Sequence, residues 1–110
     1  MTPDFRRIGR ADDVPLLEGR SVAVGTLRVA VFRTPEGFHA ISANCPHRGG
    51  PLADGLVADS CVTCPLHGQR FDLRSGAGIG GHLSVTVHDV VELDGELWLR
   101  VPAAELERAA

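Results

Sequence analysis

The chain has 110 residues, 44% of them hydrophobic, and a formal net charge of −3. That length suits one domain with a core able to fold without disulfides, and the composition excludes a disordered chain. The acidic balance excludes a basic nucleic-acid footprint, and no stretch approaches the ~20 apolar residues of a membrane span.

The opening "MTPDFRRIGRADDVP" carries no apolar run of signal-peptide length, so a soluble, cytoplasmic protein with no membrane partner is expected. In a reducing compartment its three cysteines are expected as ligands, active thiols or core residues rather than disulfides.

In chain order, "DDVPLLEG" allows one helical turn after an aspartate cap. "SVAVG" (21–25) and "LRVAVFR" (27–33) read as strands, rich in β-branched residues. "TPEGF" supplies turn chemistry before a returning strand, "FHAISA" (38–43). "GLVAD" and "SCVTC" suggest a hairpin turning near Asp59 and Ser60, and "QRFDL" (69–73) is a short strand closed by "RSGAG". "LSVTVHDVVEL" (83–93) alternates as one strand, and Asp94-Gly95 is a hairpin signal before "ELWLRV" (96–101). "AAELERAA" is a charged C-terminal tail. The pattern predicts an all-β fold of antiparallel sheets, organised as a single domain over residues 1–110.

Two glycine- and proline-rich loops interrupt the strands. "CPHRGGPLADG" holds Cys45 and His47, and "CPLHGQRFD" holds Cys64 and His67. Thiolate and neutral imidazole are soft-to-borderline metal ligands, so the four residues form a candidate ligand set. The glycines at 49, 50, 55 and 68 would let backbone approach a bulky centre. A [2Fe–2S] cluster, a structural zinc (with Cys61 as an alternative ligand through "CVTC"), a mononuclear iron or copper site, and ordinary metal-free loops all remain open. Spacing favours the cluster. Each loop supplies one sulfur and one imidazole, C-x-H then C-x-x-H, sixteen residues apart, which suits two loops gripping a dinuclear centre from opposite sides.

These motifs resemble the Rieske pattern, and the likeness runs roughly from Arg6 to Val101. The resemblance implies a cluster-binding subdomain at one tip, about residues 43–75, on a base of antiparallel sheets. It implies Cys45 and Cys64 on an inner iron, with His47 and His67 on an outer, solvent-facing iron. Two imidazoles in place of two thiolates place such clusters at roughly −150 to +300 mV. The chain is then a one-electron carrier with no complete active site of its own. The loop wording is similar to small subunits of NAD(P)H-dependent nitrite reductases. That implies a flavin-containing reductase or subunit as electron donor and a sirohaem nitrite reductase as acceptor. The ferredoxin of a ring-hydroxylating dioxygenase, delivering electrons to an oxygenase, is the alternative. A zinc-stabilised binding module is the reading from another class.

High-potential relatives in cytochrome bc complexes add a loop-to-loop disulfide and two hydroxyl donors. By motif position these fall on Gly50, Leu66, Gln69 and Phe71 here, which implies a potential near the bottom of the range. Outside the motif, Cys61 is expected in the core or at a strand edge. His39, His82 and His88 are expected at the surface, and Trp98 in packing. Asp54 is expected in a turn with Gly55, and Arg48 either steers a partner or is simply solvated.

Overall fold

The run Val29-Ala30-Val31-Phe32 is apolar at four successive positions, and all four side chains are buried. A strand with no polar face needs cover on both sides. The computed structural model, which describes residues 4–46, 49–66, 68–81 and 83–102, provides that cover. Its strands are β1 (Phe5–Arg10), β2 (Gly19–Val24), β3 (Leu27–Thr34), β4 (Gly37–Ser42), β5 (Leu56–Ala58), β6 (Cys61–Thr63), β7 (Arg70–Asp72), β8 (Gly78–Ile79), β9 (Val87–His88), β10 (Val90–Leu93) and β11 (Glu96–Arg100). They form three antiparallel sheets, ordered β1-β11-β10, β2-β3-β4-β9 and β5-β6-β7-β8. Short 3-10 turns occupy Ala11–Asp13 and Leu52–Asp54. The all-β expectation holds. No helix among the described residues is long and apolar enough to cross a membrane.

The β2-β3-β4-β9 sheet is the middle layer. Val29, Val31 and Ala40 pack with Leu97, Leu99 and Val101 into one core. From the same strands, Ala30, Phe32 and Ile41 pack with Leu52, Val62, Phe71 and Leu73 into the other. Both Cys45 and Cys64 belong to this second core.

Turn chemistry was a sound guide. Asp59 and Ser60 both adopt positive φ between β5 and β6, as do Asp94 and Gly95 between β10 and β11. That is the mirror-image two-residue turn whose twist suits a hairpin. Pairing was harder to read. Residues 83–93 are not one strand: β9 pairs with β4, and after Asp89 the chain joins β11 through β10. Alternation continues across the switch because period 2 records faces, not partners. Strand β1 has no counterpart in the sequence reading. "FRRIGR" carries three arginines, and its pairing with β11 shifts register between Arg7 and Gly9. The helical turn forms earlier than expected, at Ala11–Asp13, where the Arg10 N–H donates to the Asp13 carboxylate at 2.9 Å. The tail at 103–110 lies outside the described residues.

Candidate metal centre

Cys45 follows β4 and Cys64 follows β6, and both loops close in the same way. The Cys45 N–H donates to the Gly50 carbonyl at 2.8 Å, and the Gly49 N–H returns to the Cys45 carbonyl at 2.7 Å. In the second loop the Cys64 N–H donates to the Gln69 carbonyl at 2.7 Å, and the Gly68 N–H to the Cys64 carbonyl at 3.1 Å. In each, the fourth residue after cysteine is a glycine at positive φ, +72° at Gly49 and +73° at Gly68. An L side chain is strained there, so glycine is the conformational requirement. The two Cys-Pro loops are thus one backbone device used twice. Their N–H groups at Cys45, Gly49, Cys64 and Gly68 serve carbonyl oxygens rather than the sulfurs.

The four glycines expected to admit a bulky centre divide by task. A Cβ on Gly50 would sit 2.9 Å from Cys64 Sγ and 3.0 Å from Leu66 Cγ. Gly50 therefore lets the first loop press against the second at a cysteine sulfur. It also makes positions 50 and 66 neighbours, as their motif positions implied. Gly49 and Gly68 face open space, so their role is backbone conformation. At Gly55 a Cβ would meet the Thr63 carbonyl at 2.3 Å, so that glycine admits strand β6 and not a cofactor.

Cys45, Cys61 and Cys64 are all buried free thiols. Cys61 lies on β6 opposite Asp72, and Cys64 begins the loop. Two thiols at the mouths of matched loops, seated against one core, with Gly50 of the first loop against the Cys64 sulfur, fit a sulfur-ligated centre held between the loops. His47, Arg48, His67 and His82 lie outside the described residues. Among the described residues no three His, Cys, Asp or Glu side chains gather to hold a metal ion.

A polar strut supports the far side of this sheet. The Ser60 hydroxyl donates to Glu36, Arg74 Nη1 reaches Glu36 at 3.4 Å, and Arg74 Nη2 reaches Asp72 at 3.8 Å. These contacts tie the β5–β6 and β7–β8 turns to the β3–β4 turn. The Ser60 hydroxyl, then Arg74, hold the Glu36 carboxyl below its usual pKa. Backbone N–H groups of Ser75 and Arg74 do the same for Asp72. His39 and His88 are half-buried rather than freely solvated, a correction to the surface reading. Burial pushes both pKa values down, and His39 Nε2 pairs with Thr34 Oγ1 at 3.1 Å. Trp98 is also half-buried. It stands on the outer face, across from Arg7 and Val91, while Leu97 and Leu99 fill the core.

Sequence reasoning singled out both cysteines but missed two contacts. One is Gly50 against Cys64. The other is the Gln69 amide lying over the 78–81 loop, where Cβ atoms on Gly78 and Gly81 would come within 3.4 and 3.5 Å of it. The "GIGG" run was the available signal.

Three layers of antiparallel sheet carrying paired cysteine loops fit a domain that holds a sulfur-ligated metal centre between the loops. A family model for the Rieske [2Fe-2S] domain matches residues 4–89. The anthranilate 1,2-dioxygenase ferredoxin subunit of Burkholderia cepacia is 30% identical over 100 residues, covering 89% of this chain and 93% of that one. Of other curated relatives the chain spans less than half their length. Among solved structures, the ferredoxin of carbazole 1,9a-dioxygenase from Nocardioides aromaticivorans superposes with a TM-score of 0.81 at 30% identity, covering 89% of this chain and 98% of that one. A Mycobacterium tuberculosis protein assigned as an NADH-dependent nitrite reductase small subunit superposes with a TM-score of 0.82 at 25% identity, covering 90% and 96%. The chain belongs to the Rieske [2Fe-2S] family. It binds a [2Fe–2S] cluster and transfers electrons.

Proposed function

We propose that the chain is a cytoplasmic one-electron carrier that takes electrons from a flavoprotein and delivers them to a metal-containing enzyme. Cys45, Cys64, His47 and His67 hold the cluster, which supplies a one-electron redox couple when bound. The observation that carries this reading is the repeated loop closure at Cys45 and Cys64, with Gly50 bringing the first loop against the Cys64 sulfur. The protein's own part is to bury both sulfurs and fix the two loops against one core, so that little reorganises when the charge changes.

Two finer readings share this chemistry. Small subunits of nitrite reductases resemble the chain across nearly their whole length, which supports a role in nitrite reduction and nitrate assimilation beside a flavin- and sirohaem-containing subunit. Two dioxygenase ferredoxins, one in the sequence and one in the structure comparison, are 30% identical against 25% for the nitrite reductase small subunits, which supports delivery to an oxygenase. Purified protein should be red-brown, with iron and labile sulfide in equal amounts. His47→Ala and His67→Ala should each lose the cluster. A colourless zinc protein, or histidine variants that keep the full spectrum, refutes the ligand set. Reconstitution with a sirohaem nitrite reductase or with an oxygenase then separates the finer readings by which enzyme turns over.

A further inference from the structure

The register of the cluster-bearing sheet places four residues in one row across it: Leu56 opposite Thr63, Thr63 opposite Arg70, and Arg70 opposite Ile79. The neighbouring row is Val57, Val62, Phe71 and Gly78, whose first three side chains are buried. Alternation therefore turns the first row outward. Leu56 is 74% exposed and Ile79 43% exposed, with an exposed Arg70 between them. Arg70 forms no ion pair among the described residues. Asp72 shares its face but is engaged by the Arg74 and Ser75 N–H groups and the Arg74 guanidinium. Thr63 is bonded to Cys64, and Arg70 to Gln69, so the row is the last one before the second ligand loop. Leu66 in that loop adds another exposed apolar side chain.

We propose that this row is a docking surface for the flavoprotein electron donor, which presents a carboxylate to Arg70 between apolar side chains that cover Leu56 and Ile79. A cation flanked by exposed aliphatic groups, in a chain of net charge −3, makes a local positive spot that orients an acidic partner. Arginine is suited to this because its planar fork meets a carboxylate with two parallel hydrogen bonds. A partner seated here lies beside the second ligand loop, since Thr63 and Arg70 flank it on both sides. The donor is named because both finer readings take electrons from flavin while their acceptors differ; the inference rests on that reading.

The test uses cluster-loaded full-length chain and an NADH-dependent flavoprotein reductase of a Rieske dioxygenase system. Binding and the rate of cluster reduction are measured across ionic strength, each normalised to cluster content. Arg70→Glu is expected to weaken binding and slow reduction about tenfold at low salt, and to reverse the salt dependence, because added salt screens the like-charge repulsion it creates. Arg70→Lys restores the salt dependence, and Leu56→Ser with Ile79→Ser weakens binding at every ionic strength. Arg6→Glu, the same charge change on β1, leaves both readouts at wild-type values. Wild-type behaviour of Arg70→Glu, or an equal loss in Arg6→Glu, overturns the docking surface while leaving the donor reading intact. Wild-type protein that dithionite reduces, but that neither this reductase nor the flavin-containing subunit of a nitrite reductase binds or reduces, overturns the donor reading and the surface with it.

Discussion

The Cys45 and Cys64 loops share one pattern of closing hydrogen bonds but are anchored differently. The first springs from the middle sheet: the Ala43 N–H donates to the Arg28 carbonyl, the Leu52 N–H donates back to Ala43, and Asn44 bridges to Pro51. The second is the connection of a hairpin, closed by Thr63 opposite Arg70 and held within the small sheet. A centre gripped by both loops therefore staples the small sheet to the middle one, and its loss should loosen their junction. The comparison shows that a symmetric grip needs equal loop closures and not equal surroundings.

The comparison breaks most completely at the sulfurs. Cys45→Ser and Cys64→Ser should each abolish the cluster, because cluster binding and loop folding are coupled. Cys61→Ser should keep it, since that buried thiol lies on β6 outside either loop mouth. Iron content and visible absorption of the three variants measure this. A clusterless Cys61→Ser protein would reverse the ranking of the cysteines.

The glycines sharpen it. Gly50→Ala places a methyl at 2.9 Å from Cys64 Sγ and should lower cluster retention markedly. Gly49→Ala and Gly68→Ala meet open space but keep positive φ, so each should cost roughly 1–2 kcal/mol. Thermal unfolding of the loaded protein compares the pair. Equal shifts support equivalent loops, and a large inequality shows that anchorage outweighs closure.

Replacing donors near the second loop tests its electronics. Gln69→Ser and Phe71→Tyr should each raise the potential, which is expected near the bottom of the Rieske range in the wild type, provided the new hydroxyl reaches sulfur. Phe71 is fully buried beside Cys64 in the same core, so its hydroxyl must find a partner or destabilise the fold. Voltammetry with a parallel melting curve separates the two outcomes. A wild-type midpoint well above zero removes the support for a flavin donor.

The smallest effect is in pH dependence. His39 and His88 have folded pKa values pushed below the usual 6.5, so the folded state binds fewer protons than the unfolded one. Stability should then rise with pH through the window just below 6.5 and be level above it. Glu36 and Asp72, also depressed, contribute stability above their unfolded values near 4.5 and 3.8 that is lost as pH falls through their folded ones. Replacing His39 and His88 by glutamine should flatten the upper window and leave the acid limb.

The strand-rich class, the two hairpin turns at Asp59-Ser60 and Asp94-Gly95, and the two cysteines that open the loops are legible in the chain alone. Each depends on local chemistry: β-branched alternation, positive-φ turn residues, and ligand spacing within a short segment. Tertiary structure decided what depends on partners. Strand β1 is visible only against β11, because arginines occupy half its positions. The break at Asp89 follows from β9 and β10 finding different neighbours. His39 and His88 are half-buried because sheets close around them. Gly50 acquires its meaning from Cys64 and Leu66, which lie in the other loop, and no local pattern carries that distance. The outward row of Leu56, Thr63, Arg70 and Ile79 was likewise invisible in the chain, since its four members come from four strands and meet only through register.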